Sequence, residues 1–285
     1  MPFATRSAQD GTAGHWKRLL VFAALVFGLT CIAAPAVAGG DASVASITAP
    51  SYVAIDASSG RIIVSHDEQV RRPIASLTKV MTGLIVIERG DLSARAVVTH
   101  QGEDVEDYRE GLVAGARYRR SILLRSALMV SANDSATVLA LDAGGGSLDR
   151  FYALMNAKAR TIGMTRTMYA SASGLDDVHN LSTALDQARL ARFALQNRTF
   201  ATIVGTVRFE TRWAAPTYEK VWVNHNKMLT QAPGTYGVKT GWTTRAGGCL
   251  IIAQRRSGHA VIGVVLGSQD IWSDMTTLLD AAFAR

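Results

Sequence analysis

The chain has 285 residues, an apolar share of 48% and a formal net charge of +7, enough for a packed core and in keeping with one large domain or two small ones. A modest positive balance suits an anionic substrate or wall polymer. No basic block interleaved with aromatics occurs, which argues against a nucleic-acid binder, and the pairs Arg119-Arg120 and Arg255-Arg256 read as solvated faces and turns.

Residues 1–18 are polar and end on Lys17 and Arg18, residues 19–34 are almost wholly apolar, and Pro35 breaks the run before Ala36-Val37-Ala38. This order predicts a secretory signal peptide over 1–38 and a mature protein that is exported to the periplasm or cell envelope. The apolar run is short for a spanning helix, which needs about 20 residues. A membrane is therefore a partner only where this segment stays uncleaved as an anchor. Loss of residues 1–38 removes three basic residues and one acidic, leaving +5. Cys31 lies inside the signal behind Thr30, a residue larger than a lipid-acceptor site wants. Cys249 is then the only thiol, so no intramolecular disulfide can form.

Residues 39–50, rich in Gly, Ala and Ser, read as a linker. Residues 52–56 and 61–64, around Ser58-Ser59-Gly60, predict a β-hairpin. After Pro73 the period changes: Leu77, Val80, Met81, Leu84, Ile85 and Ile87 are spaced for a helix that stops at Arg89-Gly90, with Ser76 at its start. Residues 122–195 read as mainly helical, with turns at Ser131-Ala132-Asn133-Asp134 and Gly144-Gly145-Gly146. Strand signals return at 221–223, 237–239, 249–254 and 261–266, and residues 272–283 form a last amphipathic helix. Strands come from both chain ends and helices from the middle. The prediction is an α/β (α+β) fold, a mostly antiparallel sheet built from the two termini beside a helical lobe, as one catalytic domain over 51–285. Cys249, in the apolar run to Ala253, reads as a buried strand residue.

Three short motifs carry the chemistry. Ser76-Leu77-Thr78-Lys79 sets a hydroxyl and an amine one helical turn apart, because positions i and i+3 share a face. By residue frequency a chain this long holds about one Ser-x-x-Lys and about one Ser-x-Asn by accident, and well under one Lys-Thr-Gly. Here Ser76 to Lys79, Ser131-Ala132-Asn133 and Lys239-Thr240-Gly241 each occur once and in that order. A serine hydroxyl needs a base, and Lys79 serves only when neutral, against a free amine pKa of about 10.4. Lowering that by roughly 3 units costs about 4 kcal/mol, which a second ammonium about 4 Å away supplies at an effective dielectric near 20. Lys239 is the expected second charge, with partial burial adding to it.

Ser131 on a turn can relay a proton to a leaving amine, and the Asn133 amide can bond a substrate peptide group; read alone, the triplet would be a helix N-cap. Lys239 and Thr240, on a strand, suit a carboxylate, and Gly241 lets a substrate backbone lie close to the strand edge. Read alone, it would be a surface turn. His100, His179, His225 and His259 are scattered with no metal spacing, so no metal and no cofactor is expected. Gly144 to Gly146 matches no phosphate loop, and residues 102–107 read as a solvated acidic loop.

With these motifs the chain resembles a serine-type D-Ala-D-Ala carboxypeptidase, a low-molecular-mass penicillin-binding protein. Ser173-Gly174-Leu175-Asp176, Asn224-His225-Asn226 and Ala246-Gly247-Gly248-Cys249-Leu250 extend the likeness from about Tyr52 to the C-terminus. The resemblance implies a β-lactamase/transpeptidase-like fold and an acyl-enzyme on Ser76, with Lys79 as proton acceptor and Ser131 as second serine. It further implies substrate binding by Lys239 and an oxyanion donor in the Trp242 backbone N–H. Peptidoglycan stem peptides are the implied substrate and β-lactam antibiotics the implied covalent inhibitors. The C-terminal β-domain of the best-known members is not expected, since the chain ends soon after its last helix.

Three other readings remain open: an endopeptidase cutting D-alanyl cross-links, a class A-like β-lactamase, and a non-catalytic penicillin-binding sensor. The lactamase would need a water-activating Glu between Asn133 and Lys239, where only Glu210 and Glu219 occur. A sensor has no need of Lys79.

Overall fold

The computed structural model describes residues 44–106, 108–213 and 218–285, with the side chain of Tyr218 excepted; the expected signal peptide lies outside them. Strand β1 (Ser51–Asp56) turns through Ser58 and Ser59, both bonded to the Asp56 carboxylate, into β2 (Ile62–His66). A short β3 (Arg72–Pro73) leads through a single 3-10 turn at Ala75–Leu77 into helix α1 (Thr78–Glu88). The helical lobe continues with β4 (Arg95–Val97), α2 (His100–Glu103), β5 (Arg117–Arg119) and α3 (Arg120–Arg125). A π-helical stretch over Ser126–Val130 precedes α4 (Asn133–Ala143) and α5 (Leu148–Thr161). After β6 (Leu181–Ser182) come α6 (Ala184–Ala194), α7 (Arg198–Val204), the ribbon β7 (Arg208–Trp213) and β8 (Tyr218–Val223), and α8 (Met228–Gln231). The chain closes with β9 (Thr235–Thr243), β10 (Gly247–Arg256), β11 (His259–Ser268) and α9 (Ile271–Phe283).

The main sheet is five-stranded in the order β2-β1-β11-β10-β9, antiparallel throughout, so strands from both termini do build one sheet. Alternation along each strand divides its side chains between two cores. Val53, Ile55, Cys249, Ile251 and Val264 face the helical lobe, while Tyr52, Ala54, Leu250, Ile252 and Val265 face α9. Residues 48 and 49 of the expected linker are fastened to α9, their backbone N–H groups donating to the Asp274 carboxylate at 2.8 and 2.9 Å.

Two expectations need correction. Residues 221–223 do not join the main sheet; they lie in the β7–β8 ribbon, which pairs only with itself. The segment 122–195 is not helical throughout, because most of residues 162–183 forms an irregular loop between α5 and α6. That loop is bonded to α1 by side chains instead: Thr82 Oγ1 donates to the Ala172 carbonyl at 2.6 Å, and Asn180 Nδ2 donates to Thr78 Oγ1 at 2.9 Å. Cys249 is buried as expected, and burial pushes its thiol up to about 12.

Candidate active site

The start of α1 meets the edge strand β9 and the α4 N-terminus around Ser76. Ala75 at φ +46° makes the turn that presents Ser76, and Thr78 Oγ1 donates to the Ala75 carbonyl at 2.9 Å. Two glycines allow this crowding. A Cβ on Gly241 would lie 2.9 Å from the Ser76 nitrogen, and one on Gly174, at φ +87°, would lie 2.0 Å from the Ala75 oxygen. Strand and loop backbones thus press on Ser76 from two sides, where any larger residue would move it.

One turn further, Lys79 is fully buried. Its Nζ lies 2.8 Å from Ser76 Oγ, 2.6 Å from Asn133 Oδ1 and 2.6 Å from the Ser173 carbonyl. The two carbonyl oxygens can only accept, so they take two N–H groups. In a neutral amine the lone pair is left for the Ser76 hydroxyl. The lysine is held well below its ordinary pKa, first by burial and second by the charge of Lys239, against an opposing pull from Asp134. The sequence expectation ranked these causes the other way: burial leads and Lys239 adds to it.

Ser131 sits at φ +65° between the π-helical stretch and α4, a left-handed conformation that costs a serine of order 1 kcal/mol. Its Oγ accepts from Lys239 Nζ at 3.0 Å, and the same Nζ donates to the Thr240 carbonyl at 2.7 Å. Burial lowers Lys239 to about 7. Asn133 is engaged differently from expectation. Its Oδ1 receives Lys79 and its Nδ2 donates to the Glu106 carbonyl at 3.2 Å, so both ends of the amide are occupied by protein.

Two cavities open from Ser76. One, of about 210 Å³, runs past Ser131, Thr240 and His225 between Trp242, Trp272 and Tyr108. The other, of about 270 Å³, runs past Asn133, Gly174, Asp176 and Glu106. Tyr108 and Trp242 line both and stand 71% and 65% exposed at the mouth. All eight sequence-predicted site residues, Ser76, Lys79, Ser131, Asn133, Lys239, Thr240, Gly241 and Trp242, therefore gather in one cleft. Sequence reasoning missed four others. The Ser173 carbonyl serves Lys79, and Asp134 accepts from Gly111 and Leu112 N–H at 3.0 and 3.2 Å, fastening those two residues to the start of α4. Tyr108 and His225 line the first cavity. The signal for His225 was present in Asn224-His225-Asn226: Asn224 Oδ1 accepts from Asn226 N–H at 3.0 Å and closes the turn that presents the imidazole.

Glu106 is exposed, as the reading of a solvated acidic loop expects, and it also lines the second cavity. Asp176 accepts from Thr243 Oγ1 at 2.6 Å, and Glu210 and Glu219 are paired with Arg208 and Arg212 on the β7–β8 ribbon. Among the described residues no three His, Cys, Asp or Glu side chains gather as a metal site, and no helix is long and apolar enough to cross a membrane.

Residues 38–270 match the family model described as D-alanyl-D-alanine carboxypeptidase. The chain is 32% identical over 244 residues to the D-alanyl-D-alanine carboxypeptidase DacB2 of Mycobacterium tuberculosis, covering 83% of this chain and 82% of that one. It is 30% identical over 247 residues to the D-alanyl-D-alanine endopeptidase of Escherichia coli, covering 86% and 78%. Among solved structures it is similar to the Streptomyces K15 DD-transpeptidase, with a TM-score of 0.79 at 29% identity over 84% of this chain and 98% of that one. The ordered Ser-Lys, Ser-Asn and Lys-Thr-Gly motifs meet in one cleft on the fold those relatives share, and the chain belongs to the D-alanyl-D-alanine carboxypeptidase family of serine peptidases.

Proposed function

We propose that this protein removes the terminal D-alanine from peptidoglycan stem peptides through an acyl-enzyme on Ser76. The observation that carries this is the surroundings of Lys79 Nζ, two oxygen acceptors and one serine hydroxyl at 2.6 to 2.8 Å. A neutral amine so placed takes the Ser76 proton as Oγ attacks the penultimate D-alanyl carbonyl. The backbone N–H groups of Ser76 and Trp242 receive the developing oxyanion. Lys239 and Thr240 hold the terminal carboxylate, and Ser131 passes a proton to the departing amine. Water then hydrolyses the ester, and the proton it loses returns by way of Lys79.

β9 is the outer strand of the sheet, so its edge is open for the substrate backbone to pair beside Gly241. Residues 1–38 act as a secretory signal, the catalytic domain spans 51–285, and the enzyme works in the periplasm or cell envelope. β-Lactams acylate the same serine. A second reading, endopeptidase action on cross-links, is favoured by the cavity past Ser76, Ser131 and Thr240, whose volume of about 210 Å³ exceeds what a single alanine requires. The test has two stages. Labelling with a fluorescent penicillin should map to Ser76 and vanish in Ser76→Ala, and digestion of purified wall polymer should release D-alanine. Release of uncross-linked monomers instead would assign the endopeptidase role. Well-folded protein with neither label nor product would defeat the proposal.

A further inference from the structure

The β4–β5 ribbon carries a second concentration of positive charge, on residues that line neither arm of the cleft. Its register sets Arg95 opposite Arg119 and Val97 opposite Arg117. Ala96 and Tyr118 turn inward and are buried, so by strand alternation these four side chains share the outer face, and all are exposed. Like charges directly opposed across an antiparallel pair destabilise it unless an opposite charge intervenes. Among the described residues, no carboxylate comes within ion-pair distance of the Arg95, Arg117 or Arg119 guanidinium. Arg95 Nη1 rests only on the Arg117 carbonyl at 3.3 Å.

The β7–β8 ribbon adds Arg212, whose partner Glu219 is 73% exposed and 3.3 Å away. The four arginines line a cavity of about 420 Å³, larger than either arm of the cleft. It is also lined by the half-buried Ile122 and Thr211. Guanidinium forks match phosphate oxygens bidentately. Arg95, Arg117 and Arg119, three forks with no carboxylate partner among the described residues, exceed what the two oxygens of a single carboxylate can engage, while Ile122 and Thr211 suit a small carbon skeleton. We infer that this cavity binds a phosphate group borne on a glycerol- or sugar-type head, apart from the peptidase cleft.

The test is calorimetric titration of the full-length protein with glycerol 3-phosphate at low salt. One saturable site is expected, weakening as salt is raised. The double variant Arg95→Gln, Arg119→Gln should bind at least about tenfold more weakly, whereas Arg208→Gln, outside the cavity, should bind as the parent does. Penicillin labelling of both variants at the parental rate shows that the cleft and fold are intact. No saturable binding, undiminished binding by the double variant, or equally tight binding of malonate would overturn the assignment. Sedimentation with phosphatidylglycerol vesicles then separates the sources. Co-sedimentation displaced by glycerol 3-phosphate assigns a lipid headgroup, and binding of soluble poly(glycerol phosphate) alone assigns a wall polymer.

Discussion

The two sides of the cleft each bury one lysine, and the two lysines differ in company. Lys79, from α1, faces two carbonyl-type acceptors and a serine, and feels both burial and the charge of Lys239. Lys239, from β9, faces Ser131 and one carbonyl, and burial lowers it, to about 7. Both lysines are thus held below their ordinary pKa, and burial is the leading cause in each. On the proposed mechanism one side of the cleft supplies a base and the other a cation, from the same residue type, and two ammonium groups in one low-dielectric site repel one another.

The sharpest way to break this division is Lys79→Ala. Loss of the base should slow acylation by fluorescent penicillin about 10³-fold or more at pH 7, with the protein still folded by circular dichroism. Acylation within tenfold of the parent would mean that another group takes the proton and that the two lysines do not differ in role.

Lys239→Ala comes second, with kcat/KM for a D-Ala-D-Ala pentapeptide falling about 10²-fold, mainly through KM. It also moves the pH profile. Removing the neighbouring charge raises the Lys79 pKa, so the acid limb of acylation should shift to higher pH. Because burial is the larger cause, the limb should stay well below the free-lysine value of about 10.4. A limb near that value would mean that repulsion by Lys239, and not burial, is what chiefly keeps Lys79 neutral.

Stability should separate the pair from the other direction. The folded pKa of Lys239 is about 7 against an ordinary 10.5. Between those values the unfolded chain holds a proton that the folded protein has released, so stability rises with pH across that window and the benefit is lost as pH falls toward 7. Lys239→Met should flatten that slope and raise the melting temperature at pH 7 by about 2–8 °C while impairing activity. A melt unchanged or lowered would mean that the buried ammonium is better compensated than its two hydrogen bonds suggest.

The sequence carried the division of labour only in part. Ser76 and Lys79 were legible because helix periodicity converts a three-residue spacing into a shared face, and Lys239 to Gly241 because the apolar runs around it mark a strand. Ser131 and Asn133 were legible as a turn. Full burial of both lysines was not, since it comes from β9, α4 and the 162–183 loop converging after folding. That loop fell inside a segment whose pattern read as mainly helical, yet Ser171, Ser173 and Gly174 bond its backbone into a tight turn, with Ser171 Oγ accepting from Gly174 N–H at 2.9 Å. The β7–β8 ribbon was half seen for a similar reason. Its alternation is regular, but nothing in a strand pattern says which sheet it joins.

The smallest expected effect tests whether the loop serves Lys79 alone. Thr82 is 1% exposed and its Oγ1 donates to the Ala172 carbonyl, one residue before Ser173. Thr82→Val keeps the shape, removes this donor and leaves that carbonyl without it, at a cost of about 1–2 kcal/mol in stability. The Ser173 carbonyl, then less firmly placed, holds Lys79 more loosely, and the acylation rate should fall by about threefold to tenfold. Lys239 takes no hydrogen bond from this loop, so KM for the pentapeptide should not change. A rise in KM with an unchanged acylation rate would place the loop on the carboxylate side of the cleft, and the contrast between the two lysines would have to be redrawn around it.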